Sequence, residues 1–233
     1  MRIIKNTKAH RVLILNAKGG CGKTTIATNL ACQFATENQI TALVDYDPQA
    51  SSTCWLEARP AHMPSIHSIS AYQHKGQMTR TWQLNVPQGT TRVVVDTPAR
   101  LDTITASKLI KEADTILIPV LASAIDIRAA TQFLESLMKD SEFRRLDRRI
   151  AVLGNRVRKN TKAYAKLQKF LEDLNIPFLT SLRDTQNYVR AAEEGLGVQE
   201  LSHKSAQKDS IQWHSLVRWI DGEQDLAIQH SVS

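Results

Sequence analysis

The chain has 233 residues, enough for one sizeable hydrophobic core, and carries a formal charge of +7; that balance points to phosphate-bearing or acidic partners and leaves the fold open. No apolar run approaches the ~20 residues of a spanning helix, and MRIIKNTKAH is too short in its apolar part for a secretory signal, so a cytoplasmic protein is expected. Cys21, Cys32 and Cys54 share no CxxC or Cys/His ligand spacing, which argues against a disulfide framework or a zinc site.

Taken in chain order, strand-length apolar runs alternate with helical patterns: VLILN at 12–16, TALVD at 41–45, RVVVD at 92–96, TILIPV at 115–120, IAVLGN at 150–155 and IPFLT at 176–180. Near-continuous Val/Ile/Leu runs indicate strands buried on both faces. The expected fold is therefore α/β, a doubly wound and mostly parallel sheet flanked by helices, in one domain over 1–233. Residues 1–10 read as an N-terminal extension and 222–233 as a flexible tail.

After the first run, GGCGKTT at 19–25 stands between a strand and a helix predicted over 23–38, whose Ile26, Ala27, Leu30, Ala31 and Phe34 share one face. This is the context a phosphate loop requires. Gly19, Gly20 and Gly22 let the backbone approach phosphates, and the helix N-terminus adds a positive dipole. Lys23 can reach the terminal phosphates, and the Thr24 hydroxyl can ligate Mg²⁺. One lysine suffices for such a loop, yet Lys18 supplies a second.

Downstream, DYDPQASS at 45–52 places Asp45 and Asp47 at the carboxyl end of a strand, and VVVDTPA at 93–99 does the same for Asp96. Residues 56–90, with His62, His67 and His74 at no metal-ligand spacing, read as a loop-rich connection. GNRV at 154–157 ends another strand at Asn155, whose amide can donate and accept at once. A run of twelve Lys/Arg against five acids over 142–190 accounts for the whole net charge. On a helix predicted over 162–174, Lys159, Lys162, Lys166 and Lys169 form one stripe, which taken alone is a solvated face. The last helical pattern gathers Trp213, Leu216, Val217 and Ile220 on one face and reads as core packing.

KGGCGKTT at 18–25 resembles the deviant Walker A loop of the ParA/MinD family of ATPases, and the spaced motifs carry that resemblance from about 12 to 200. It implies ATP and Mg²⁺ as cofactors, with Gly19, Gly20, Cys21, Gly22, Lys23, Thr24 and Thr25 on the nucleotide. The Cys21 contact is ascribed to its backbone N–H, while its thiol should be shielded from alkylation by bound ATP. Lys18 matches the lysine that reaches across a nucleotide-sandwich homodimer to the other subunit's phosphates. Such a cation couples dimerisation to hydrolysis. Asp47 matches the carboxylate that positions the attacking water near the metal. Asp96 matches the aspartate that holds Mg²⁺ through water, and Asn155 the adenine contact. SLRDTQNYVRAAEEG at 181–195 resembles the segment closing over the base, from which Leu182, Arg183 and Asp184 are candidates.

The resemblance leans to small ParA proteins: with eleven residues before the first apolar run, no N-terminal helix-turn-helix is expected. It implies non-specific DNA binding by the ATP dimer, for which Arg158, Lys159, Lys162, Lys166, Lys169 and Arg190 are candidates. It also implies nucleoid association and a cargo-bound, ParB-like adaptor that stimulates hydrolysis. Membrane binding is disfavoured, because DGEQDLAIQHSVS after the last helical pattern has no Lys or Arg. Related cluster-bearing ATPases place cysteines beyond the second aspartate motif, and this chain has none after Cys54. A partner-binding spatial regulator with secondary ATP turnover is the alternative.

Overall fold

The computed structural model describes residues 9–73, 86–139, 143, 148–157, 162–173, 176–202 and 204–223. Seven strands, β1 (His10–Ile14), β2 (Thr41–Asp45), β3 (Ile66–Ser70), β4 (Arg92–Asp96), β5 (Thr115–Leu121), β6 (Arg149–Val157) and β7 (Phe178–Arg183), form one sheet in the order β3-β2-β4-β1-β5-β6-β7. Every pairing is parallel. The helices are α1 (Lys23–Thr36), α2 (Ser51–Glu57), α3 (Thr103–Glu112), α4 (Ala124–Lys139), α5 (Lys162–Asp173), α6 (Gln186–Glu193) and α7 (Gln207–Ile220).

The apolar runs become central strands for the expected reason: Val12, Ile14, Leu43, Val94 and Leu117 face one core, and Leu13, Val44, Val93, Val95 and Ile116 the other. The first core is closed by α1 and α7 through Ile26, Leu30, Phe34, Trp213 and Leu216, the second by α3 and α4 through Leu109, Ile110, Ala130 and Leu134. Each large side chain so buried contributes about 1.5–3 kcal/mol. Trp213, Leu216, Val217 and Ile220 are buried, as their periodicity predicts.

The first helix ends at Thr36, short of the expected 38, because Asn38 turns left-handed at φ 62. Asn38 N–H then reaches the Ala35 carbonyl and Gln39 N–H the Phe34 carbonyl, the paired bonds of a Schellman stop. The stretch 56–90, expected to be a loop-rich connection, supplies β3. This strand lies at the sheet edge, paired to β2 alone, and its IHSIS sequence carries too few apolar residues to announce itself.

At the carboxyl end the sheet opens around β1. The β1 ladder to β5 spans Val12–Ile14, after which Asn16 donates to the Pro119 carbonyl at 2.6 Å. The segment from Asn16 onward is thus anchored as it leaves the sheet at the point where strand order reverses, the place where parallel α/β sheets bind ligands.

Candidate nucleotide-binding site

The loop between β1 and α1 is held open by its own backbone. Gly20 and Gly22 take φ 74 and φ 93, which L side chains adopt at a cost. Gly22 caps α1 without any side-chain hydrogen bond, so the first-turn N–H groups remain available to an anion. Asn16 Oδ1 accepts from Lys18 N–H at 2.9 Å, and the Lys18 carbonyl accepts from Lys23 Nζ at 3.1 Å and the Cys21 thiol at 3.2 Å. Lys23 is buried and curls back over the loop.

The thiol of Cys21 is also buried, and that burial raises its pKa, with Lys23 opposing. This corrects the expectation that bound ATP would shield it from alkylation: the protein already covers the sulfur.

Lys18 points to α4. Its Nζ stands 3.3 Å from Asp126 Oδ1, while Asp126 Oδ2 accepts from the Ser123 hydroxyl and Asp126 N–H donates back to that hydroxyl at 3.1 Å.

The aspartates gather one strand over. Asp45 and Asp96 are register partners at the ends of β2 and β4. Asp45 is spent on structure, accepting Asp47 N–H at 2.9 Å and the Thr53 N–H and hydroxyl at 3.0 and 2.9 Å; it caps the strand end and anchors the start of α2. Asp47, half-buried, accepts Gln49 N–H at 3.0 Å. Asp96 is wholly buried, with neither carboxylate oxygen hydrogen-bonded. Burial pushes its pKa up to about 7; Thr24 and Ser52 hydroxyls lie near enough to oppose the rise, too loosely to satisfy either oxygen. Ser52 Oγ is itself buried without a partner.

An orphaned carboxylate with two hydroxyls beside it suits Mg²⁺, a hard cation that keeps several waters and takes few protein ligands. Thr24, Asp96 and Ser52 are the residues that would hold such an ion or its waters, with Asp47 at the rim.

Across the loop, Asn155 Nδ2 donates to the Cys21 carbonyl at 2.8 Å, and its Oδ1 accepts Arg156 N–H at 3.0 Å. Arg156 adopts φ 50 to close that turn. Asn155 is buried and braces the phosphate loop here, a role the adenine expectation did not include. Leu182 lies fully within the first core, which removes its side chain from the base-contacting candidates. Arg183 is engaged by the buried Asp209 at 2.8 Å, and Asp184 is exposed.

Some basic residues of 142–190 are engaged within the fold. Arg149 donates to the Trp219 carbonyl and stacks 5.5 Å over its ring, and Arg148 donates to the Lys111 carbonyl. Lys162, Lys169 and Arg190 are exposed. Arg158 and Lys159 lie outside the described residues, as does the side chain of Lys166.

Sequence reasoning missed Ser52 and Asp126. For Asp126 a signal existed: Ser123-x-x-Asp126 before an apolar helix is a capping pattern. For Ser52 none did, since a serine beside another serine announces nothing.

A family model described as the CobQ/CobB/MinD/ParA nucleotide binding domain matches residues 12–198. The Halothiobacillus neapolitanus "Maintenance of carboxysome distribution protein A" is 32% identical over 201 residues, covering 84% of this chain and 89% of that protein. Among solved structures, a Cyanothece McdA variant in complex with ATP superposes with a TM-score of 0.70 at 18% identity, over 94% of this chain and 98% of that one. A Borrelia burgdorferi putative plasmid partition protein bound to AMPPNP gives 0.69 at 18% identity, over 91% and 100%. At those identities the two structures speak for the fold.

Proposed function

Because the chain belongs to the CobQ/CobB/MinD/ParA nucleotide-binding family, we propose that it is an ATP-dependent positioning ATPase. Its ATP-bound homodimer binds non-specific DNA, and a cargo-associated adaptor stimulates hydrolysis and release. The observation that carries this reading is the second lysine: Lys18 and Lys23 sit on one loop, with Lys23 against the loop's own backbone and Lys18 at its outer side. Lys23 alone meets the need of a loop that serves a single subunit, and Lys18, left 40% exposed on the outer side, is placed where a second subunit can meet it.

In this reading the α1 N-terminus and Lys23 bind the phosphates, and Thr24, Asp96 and Ser52 hold the metal, which supplies charge neutralisation at the terminal phosphates. Asp47 orients water for attack. Lys18 adds positive charge from the second subunit, so that hydrolysis follows association. The 32% identity to a carboxysome distribution protein makes a protein-shelled compartment the first cargo to test.

No helix among the described residues is long and apolar enough to cross a membrane. Exposed Lys162, Lys169 and Arg190 offer phosphate contacts without base readout, which predicts salt-sensitive, sequence-tolerant binding. Retention on random duplex DNA with Mg-ATP, with ADP and without nucleotide, over a salt series, tests it. Binding with ATP alone, falling steeply with salt, supports the reading. Equal or absent binding in all three states overturns the DNA step and favours a regulator acting through protein partners.

A further inference from the structure

Asp209 is a buried carboxylate that the phosphate and metal chemistry leaves unused. It stands in the first turn of α7, one turn before the buried Trp213, and is wholly enclosed. Both of its oxygens are taken: Oδ1 accepts from Arg183 Nε and from a terminal guanidinium nitrogen, each at 2.8 Å, and Oδ2 accepts from Asn187 Nδ2 at 2.8 Å. Arg183 is the last residue of β7, and Asn187 lies in the first turn of α6. One side chain of α7 thus grips the turn of Asp184 and Thr185 from both sides. Two more bonds hold the same place: Gln212 Nε2 donates to the Ser181 carbonyl at 2.7 Å, and the Thr185 hydroxyl accepts Asn187 N–H at 3.3 Å.

Stability does not call for an ion pair here, since well-packed apolar side chains of similar volume commonly serve a buried site as well or better. What the carboxylate adds is direction, because two occupied acceptors admit one placement of the turn. That placement matters through the sheet. Asp45 and Asp96 stand on one side of β1, at the ends of β2 and β4, while β5, β6 and β7 lie on the other. A nucleotide with its phosphates at the α1 N-terminus and its metal at Asp96 is left the β5 to β7 side for its base. There Gly154 is level with Ser181 and Val157 with Arg183, with a register shift between, so Asn155 stands out of the ladder beside the start of the turn. The Arg183 side chain remains 41% exposed, and a guanidinium held along one edge keeps a flat face that can cover an aromatic ring.

We propose that Asp209 is a positioning residue for base recognition: acting through Arg183 and Asn187, it sets the turn after β7 where a purine ring can lie against it. The proposal rests on the nucleotide reading above. It gives the chain a preference for purine over pyrimidine nucleotides, since the smaller ring reaches less of that wall.

Displacement of a fluorescent ADP analogue by Mg-ADP and by Mg-CDP tests it, with phosphates and ribose held constant. The native chain is expected to bind ADP many-fold more tightly than CDP. Asp209→Asn removes the charge and one acceptor at nearly constant volume, and is expected to weaken ADP several-fold while leaving CDP nearly unchanged. Asn187→Ala releases α6 alone and keeps the Arg183 ion pair, and with it the fold; it is expected to compress the ratio to a smaller degree. Equal weakening of both nucleotides would assign Asp209 to the fold and overturn the proposal, as would an unchanged ratio in both variants. A native chain that binds ADP and CDP alike overturns it too, with the phosphate reading intact. One that binds neither removes the nucleotide reading, and the proposal falls with it.

Discussion

Asn155 and Gly22 share one small volume: the Asn155 amide donates to the Cys21 carbonyl at 2.8 Å, and a Cβ on Gly22 would lie 1.9 Å from its Nδ2. The absence of a side chain at 22 lets a residue far along the chain brace the phosphate loop. Gly20 differs, since a Cβ there meets nothing within 4 Å.

Alanine at these two glycines should therefore separate strain from collision. Gly20→Ala is predicted to cost only the left-handed backbone penalty, about 1–2 kcal/mol. Gly22→Ala adds the clash and should weaken a fluorescent ATP analogue by more than about tenfold in excess of Gly20→Ala, which asks about 1.4 kcal/mol of the collision. Adding Asn155→Ala to Gly22→Ala should recover part of the loss of stability. Equal effects of the two single substitutions in unfolding and nucleotide titrations would show that the brace is immaterial.

Asp96 should destabilise the ligand-free protein at neutral pH. Its carboxyl titrates near 3.8 unfolded and near 7 folded, so between those values the folded state holds more protons and stability falls as pH rises. Each pH unit of that interval is worth about 1.4 kcal/mol, and the loss reaches about 4 kcal/mol above pH 7. Asp96→Asn is predicted to abolish Mg-ATP stabilisation while raising ligand-free stability, with a gain that grows from pH 4 to 7 and then levels. Urea unfolding at pH 5 and pH 8 without ligand checks this; a gain independent of pH would contradict it.

Arg59 and Glu200 join the loop after α2 to the turn before α7 by a buried fork, with bonds of 2.8 and 2.6 Å. Burial alone would raise Glu200, yet Arg59 and the Gly197 N–H outweigh it and hold the carboxyl below its usual 4.5. The stabilisation is thus complete above the unfolded value and is lost as pH falls through the lower folded one. Arg59→Met should cost about 3–5 kcal/mol near neutrality, because it strands a buried carboxylate. Adding Glu200→Gln should restore part of that loss, and strict additivity of the two in denaturant titrations would exclude direct coupling.

Among the cysteines, Cys54 is exposed whereas Cys21 and Cys32 are buried. Iodoacetamide should modify Cys54 first, and Mg-ATP should hardly change that rate. Rapid labelling of Cys21 without nucleotide, read by mass spectrometry, would show that the loop opens far more often than its hydrogen bonds allow.

For the DNA step, Lys162→Glu, Lys169→Glu and Arg190→Glu each remove an exposed cation. A cation that neutralises one DNA phosphate adds about 1 to the steepness of log affinity against log salt, so its removal should flatten the plot by about that amount. ATP binding should be untouched. An unaltered slope in all three variants would place the nucleic-acid surface elsewhere.

Much of this is legible in the sequence where one residue type has one physical use. VLILN and RVVVD suit strands buried on both faces, and GGCGKTT between strand and helix suits the cradling of an anion. Legibility fails where meaning depends on distant chain. Leu182 reads as a candidate base contact until the core claims it. Arg183 is a free cation in sequence, and its partner Asp209 lies 26 residues on. Arg148 and Arg149 count toward a basic face and instead serve carbonyls at Lys111 and Trp219. Ile66–Ser70 hides because an edge strand needs little hydrophobicity. Local pattern encodes what an element is, whereas the fold decides what a charged side chain is for.

The unbroken register of Ile14 with Asp96 and of Asp96 with Asp45 makes the middle of the sheet a ruler. Spacing between the loop lysines and the two aspartates is graduated by strands buried on both sides, so responses to nucleotide must be expressed in the loops beyond the strand ends. The residues that would meet the phosphates are thereby set apart from the exposed helices and loops. Under the reading proposed above, the outer helices and loops can change without moving the residues that meet the nucleotide.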